Sequence, residues 1–361
     1  MEALDRTAQR VGAFGRMRYV TPVRYRESTG THRAIYDQIL AEYGLGGPFF
    51  VTSVSTPLLA ATWGLVRASV ASGPLPRGLS EVIASAVAQT ETCPFCVGVH
   101  SELAGAGGEQ TTASLIAQSK WERLADRHSE SDQLALWARN FVRGDTIAPP
   151  VPDAHAPYAV SVALTFVHVT TMVTIFQADG MVAGAGGSRV VDAMVKHYMR
   201  HSLGKRMVAR TATADATAGP DPVSGPSSDF AFAATEPSLT QAWAMFDHAV
   251  GSIGNEVLSG RARKAVNAVI DQRIWDEPSL DLRFIDEAVA SIPESEVGAA
   301  RLALMAGTAP YRVTRADIDV AGPGGQRGER WVALAALGAA ARIRALAENS
   351  VGEGGRRQPP H

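Results

Sequence analysis

Cysteine is almost absent from this chain: two residues in 361. So small a number excludes a disulfide-dense secreted scaffold. An excess of charge of one sign is lacking too. With 34 basic and 36 acidic residues and a formal net charge of -2, there is no electrostatic footprint for nucleic acid and no basic face for an anionic bilayer. The arginines near the start (Arg6, Arg10, Arg16, Arg18, Arg24, Arg26) alternate with apolar residues and accompany Glu2, Asp5 and Glu27, a pattern that reads as solvated surface. No apolar run continues unbroken for the ~18 residues that a membrane span needs. Met1 to Arg6 turns acidic at once, without the apolar core of a signal peptide. The expectation is a cytoplasmic protein with neither a nucleic-acid nor a membrane partner.

What is present is helical. Val82, Ile83, Ala86 and Val87 recur at three-to-four spacing, as do Cys96, Val99 and Leu103, then Leu134, Trp137 and Phe141. The Ala-rich stretch from Trp331 to Leu346 has the same character. Alternating strands are missing. The clusters Gly184-Ala185-Gly186-Gly187 and Gly322-Pro323-Gly324-Gly325 fit no phosphate-binding motif and read as loops or helix ends. The fold class is all-α.

A chain of this length favours two domains or two fused repeats. The segment 211–237, with Gly219-Pro220-Asp221-Pro222 and Ser224-Gly225-Pro226-Ser227-Ser228, has linker composition. It divides a region 1–210 from a region 238–348, and 349–361 reads as a frayed tail. An offset of 182 residues lays Thr56 to Ser72 over Ser238 to Gly254, each with an aromatic-bearing helix, which marks a weak internal repeat. Under it Glu81, Cys93, Cys96 and His100 fall on Arg263, Trp275, Pro278 and Leu282. The second copy is then a degenerate half without their chemistry.

The two cysteines stand three apart, in Cys93-Pro94-Phe95-Cys96. Two positions drawn at random from such a chain have that spacing about one time in 180, so coincidence is a poor account. Thr92 reads as the N-cap, with Pro94 in the first turn. On that helix Cys93, Cys96 and His100 fall within about 60° of one another. The helix N-terminus lowers a thiol pKa at Cys93. His100, four residues after Cys96, is placed to accept a thiol proton directly or through one water. Glu81 lies twelve residues before Cys93 on an apolar helix, where a buried carboxylate orients an imidazole. Three readings stay open at this point: two core thiols, a zinc site from Cys93, Cys96, His100 and Glu81, or a redox pair.

Elsewhere, His168 in its apolar run and Trp63 and Trp137 read as core residues. His197 and His201, among Lys196, Arg200 and Lys205, read as a cationic surface.

Glu81, the Cys93-Cys96 pair and His100 together form E-x11-C-x-x-C-x3-H, which resembles the pattern of the alkylhydroperoxidase D-like proteins of the carboxymuconolactone decarboxylase family. Glu81 to Gln89 also looks like the family helix that carries the glutamate. Phe166 to Val173 resembles a later one, with Thr170-Thr171 where relatives often have Asn-Arg. Phe95 departs from the histidine often found between the cysteines in peroxidase members. The likeness covers about residues 50–180. It implies a compact helical fold assembled as trimers or hexamers, and a thiol peroxidase needing no flavin, haem or metal. In that scheme Cys96 reacts with the hydroperoxide and Cys93 resolves it and faces a thiol or dithiol reductant. His100 and Glu81 relay protons. Two alternatives stand beside it: a carboxymuconolactone decarboxylase-like lyase, and a non-catalytic redox-sensing oligomer.

Overall fold

The structure is a computed structural model, described over residues 17–44, 46–177, 197, 204–209, 217–219, 228–273 and 281–350. The cluster at Gly184 to Gly187, the pair His197 and His201, most of 211–227 and the tail beyond Ser350 therefore lie largely or wholly outside the described residues. The described residues are helical, with no strand beyond an isolated antiparallel bridge between Met17 and Gln177.

The helices that carry the core, labelled in chain order, are α1 (Gly30–Glu42), α2 (Thr56–Val66), α3 (Arg77–Thr90), α4 (Pro94–Ala106), α5 (Glu130–Phe141) and α6 (Ala156–Phe176). They continue as α7 (Pro237–Val257), α8 (Gly260–Arg273), α9 (Val297–Thr308) and α10 (Glu329–Ser350). Pro57, Pro94, Pro157 and Pro237 each stand at a helix start, where a fixed φ helps and a missing N–H costs nothing.

One apolar cluster runs from Val20 to Ala347 and takes in side chains from both flanks of the 211–237 segment. α7 lies against α2, and α10 lies against α6, α7 and α9. Trp63 and Trp243 are buried with their polar ends satisfied. Trp63 Nε1 donates to Gln38 Oε1 at 2.8 Å and Trp243 Nε1 to Ser161 Oγ at 2.9 Å.

The stretch Asp153–Phe176, which contains α6, is long and apolar enough to cross a membrane, more so than its interrupted sequence suggests. Of its most apolar 18-residue window 94% is buried within the protein, and α6 packs against neighbouring helices along its length. α3 is almost as enclosed, with Gly78 through Ala88 all buried. Around them, Gly322 and Gly325 take φ of +89° and +84° in the loop before α10, so that cluster is a turn. α10 itself extends to Ser350, two residues into the expected tail.

Candidate active site

The pair α3 and α4 carries all four residues singled out in the sequence. The connection between them is tight. Thr92 has φ +56°, an uncommon conformation for a residue with a Cβ, and Cys93 rather than Thr92 is the N-cap of α4. The shift of one residue has a local cause. A residue before proline is pushed toward extended backbone, and Cys93 sits at ψ 88° ahead of Pro94. Helical periodicity therefore does not place Cys93, yet its sulfur still lies 2.7 Å from that of Cys96.

Glycine lets the far ends of the two helices meet. A Cβ on Gly78 would stand 2.7 Å from the carbonyl oxygen of Gly107. Between those ends, the hydroxyls of Ser85 and Ser101 are hydrogen-bonded at 2.7 Å in the buried seam.

Glu81 is fully buried and lies between two side-chain nitrogens. One oxygen is 2.6 Å from His100 Nδ1 and the other accepts from Arg77 Nε at 2.7 Å. Burial alone would raise this carboxyl. Arg77 and then His100 outweigh it and hold Glu81 below the usual carboxylate range. The His100 ring is buried and meets Phe166 of α6 edge-on, at 4.6 Å between centroids. Tyr43, just past α1, underlies the Arg77 guanidinium at 4.4 Å. Its hydroxyl is pushed up by burial, then by the nearby Glu81 charge.

The structure thus brings together two pairs, Cys93 with Cys96 and Glu81 with His100. It does not join them directly: among the described residues no hydrogen bond links Cys96 to His100. Both sulfurs are buried, each about 1% exposed. Burial, reinforced by the hydrogen bond with Cys93 and by its proximity, raises the Cys96 thiol well above its ordinary value. A cavity of about 370 Å³ opens beside Cys93. Gln89, Thr92, Val97 and Glu102 share its wall with Cys93, whereas Cys96 does not line it. Among the described residues no group of three or more His, Cys, Asp or Glu is placed to hold a metal ion.

Two contributors escape a reading of the motif alone. Arg77 was visible in principle, four residues before Glu81 on one helix face. Glu91, two residues before Cys93, is buried and gripped by Arg342 of α10 at 2.7 and 2.8 Å. No local pattern announces a partner 251 residues away.

His168, read as a core histidine, is fully buried on α6. One ring nitrogen bonds Thr62 Oγ1 at 3.0 Å, and Nδ1 has no hydrogen-bond partner among the described residues.

The all-helical fold agrees with the class that the alkylhydroperoxidase-like resemblance implies. The chain is similar to the Mycobacterium tuberculosis (strain ATCC 25618 / H37Rv) protein named alkyl hydroperoxide reductase Rv2159c, 27% identical over 311 residues. The alignment covers 84% of this chain and 86% of that relative, so it reaches well beyond the first 210 residues and beyond the 50–180 span of the motif likeness. No family model and no solved structure matches the chain.

Proposed function

We propose that the protein is a thiol peroxidase that reduces organic hydroperoxides through a Cys93–Cys96 dithiol/disulfide cycle. The observation that carries this reading is the 2.7 Å approach of the two sulfurs, on helices that also hold the Glu81–His100 hydrogen bond. The thiolate of Cys96 attacks the terminal oxygen of ROOH, the O–O bond breaks, and the alkoxide leaves as ROH after taking a proton. Cys96 is then a sulfenic acid. The Cys93 thiol attacks its sulfur, a disulfide forms and water leaves. Two electrons and two protons from an external thiol or dithiol restore the pair. The place of Cys93 on the cavity wall supports its assignment as the sulfur that meets the reductant.

Because Cys96 is held protonated at rest, a base must take its proton as the peroxide arrives. His100, one turn further along α4, fills that role in this reading, with Glu81 behind it. The division into a site-bearing region 1–210 and a region 238–348 without the site, joined through 211–237, belongs to the same proposal, as does assembly into trimers or hexamers.

The test is stopped-flow consumption of cumene hydroperoxide by the reduced protein, with thiols counted before and after. Loss of both thiols per turnover, abolished by Cys96→Ser and arrested at a sulfenic acid by Cys93→Ser, is the expected result. Turnover retained in Cys96→Ser sinks the proposal. The burial of both sulfurs favours one rival, a redox sensor whose disulfide alters packing. Oxidation no faster than that of an ordinary thiol selects it.

A further inference from the structure

Arg77 stands at the start of α3, outside the E-x11-C-x-x-C-x3-H set. Its side chain is 8% exposed. Nε donates to Glu81 at 2.7 Å, the guanidinium lies on the Tyr43 ring, and both Nη groups are buried with no hydrogen-bond partner among the described residues. Its only hydrogen-bond acceptor among the described residues is therefore Glu81. The opposite oxygen of that carboxylate meets His100.

A fully buried carboxyl flanked only by an imidazole has two stable arrangements. As an anion it can only accept, so the ring carries its proton on Nδ1 and Nε2 is left as a base. As a neutral acid it donates to Nδ1, the ring proton moves to Nε2, and the ring can no longer take a proton there. The fixed cation at 2.7 Å decides between them.

We propose that Arg77 is a positioning residue of this site: it keeps Glu81 an anion, and the anion locks His100 with its proton on Nδ1 and Nε2 open to receive one. The proposal rests on the peroxidase reading for its purpose, since only a site that must deprotonate a thiol needs Nε2 open. The groups that bear on Glu81 are Arg77 and His100, with Tyr43 as a further neighbour within electrostatic reach. Arg77 is the permanent charge among them. The roles differ in kind: His100 acts on the reacting thiol, whereas Arg77 acts only through Glu81.

The experiment reads the resting protein and does not depend on turnover. The Glu81 carboxyl is followed by 13C NMR against pH in reduced wild type, with the signal assigned by its loss in Glu81→Gln. The His100 tautomer is read from its 15N shifts. Expected are a Glu81 titration below the ordinary glutamate range and a proton on Nδ1. In Arg77→Gln the titration moves up by about one pH unit or more, and the Nε2–H tautomer appears as Glu81 protonates. Arg77→Lys, which retains the charge, returns both signals toward wild type. A wild-type Glu81 that titrates at or above the ordinary range, or a wild-type ring protonated on Nε2 alone, overturns the proposal without recourse to any Arg77 variant. So does a Glu81 curve unchanged in folded Arg77→Gln. If these signals behave as expected while wild type consumes no cumene hydroperoxide, the peroxidase reading fails and the role of Arg77 stands.

Discussion

The two sulfurs of the site differ in surroundings more than in sequence context. Cys93 borders the cavity, while Cys96 is enclosed and its thiol pushed up by burial and by Cys93. A thiol whose pKa is raised has little thiolate at neutral pH, and the fraction grows as pH rises toward that pKa. Without a base at hand the peroxide reaction must follow that fraction, so in His100→Ala it is expected to accelerate steadily from pH 6 to pH 9, approaching tenfold per unit, whereas proton removal by His100 makes wild type depend less steeply on pH. Stopped-flow traces of both proteins over that range check this, and a flat profile in His100→Ala would show that Cys96 reacts as a preformed thiolate. His100→Ala is expected to slow the reaction by roughly 10²- to 10⁴-fold, the usual contribution of a positioned base. An unchanged rate would leave the Glu81–His100 pair a structural one. Glu81 itself contributes stability of the depressed-carboxylate kind, present above its unfolded value and lost as pH falls through its lower folded one.

At the scale of helices, the α3–α4 pair depends on close backbone approach. Gly78→Ala places a methyl 2.7 Å from the Gly107 carbonyl, where backbone rather than a flexible side chain must yield. A loss of about 1–3 kcal/mol in denaturant unfolding is expected. If the stability holds instead, the seam has more room than its geometry implies. α6 carries a second measurable device in His168. Burial pushes this imidazole down to about 3 from its ordinary 6.5, so it stays neutral in the folded protein and charges only on unfolding. The unfolded chain then binds the extra proton as pH drops. Stability is complete above pH 6.5 and declines toward pH 3, by up to about 1.4 kcal/mol per unit. His168→Phe should flatten that part of the acid-unfolding curve whatever it does to stability at pH 8. An unaltered slope would mean that His168 is not the group responsible.

Across the whole molecule, the two flanks of the 211–237 segment share one core. A buried charged link between them is Glu91 with Arg342, and Arg327 with Glu27 forms a more exposed one at 3.4 Å. Burial raises the Glu91 carboxyl even against the Arg342 charge, so desolvation exceeds the attraction and the pair is worth little in net stability. Breaking it is another matter. Arg342→Met leaves a buried carboxylate unpaired and is expected to cost about 3–5 kcal/mol. Glu91→Gln costs less, and the double variant Glu91→Gln/Arg342→Met recovers part of the loss. Urea denaturation of the four proteins forms the cycle, and additivity within about 0.5 kcal/mol would show that the two residues do not couple. Glu91 is two residues from Cys93, so the same Arg342→Met variant also tests whether the second flank holds the N-cap of the site helix in place.

The all-helical class and the chemical set Cys93, Cys96, His100 and Glu81 were legible in the sequence because both are written in short-range spacing. Three-to-four periodicity is local, and so is E-x11-C-x-x-C-x3-H on two consecutive helices. Arg77 was within reach of the same logic, one turn before Glu81. Other features were not legible. The N-cap falls on Cys93 rather than Thr92 because Pro94 governs the backbone before it. Cys96 is held protonated, although a helix N-terminus on its own favours a thiolate, because enclosure in low-dielectric surroundings dominates there. The charge state of Glu81 depends on which donors occupy its two oxygens, and the grip on Glu91 depends on a helix 251 residues downstream. The sequence by itself determined which reactive groups this protein carries and at what spacing. Tertiary structure alone decided which are ionised and which are held together, since desolvation and distance belong to the packed chain and not to residue order.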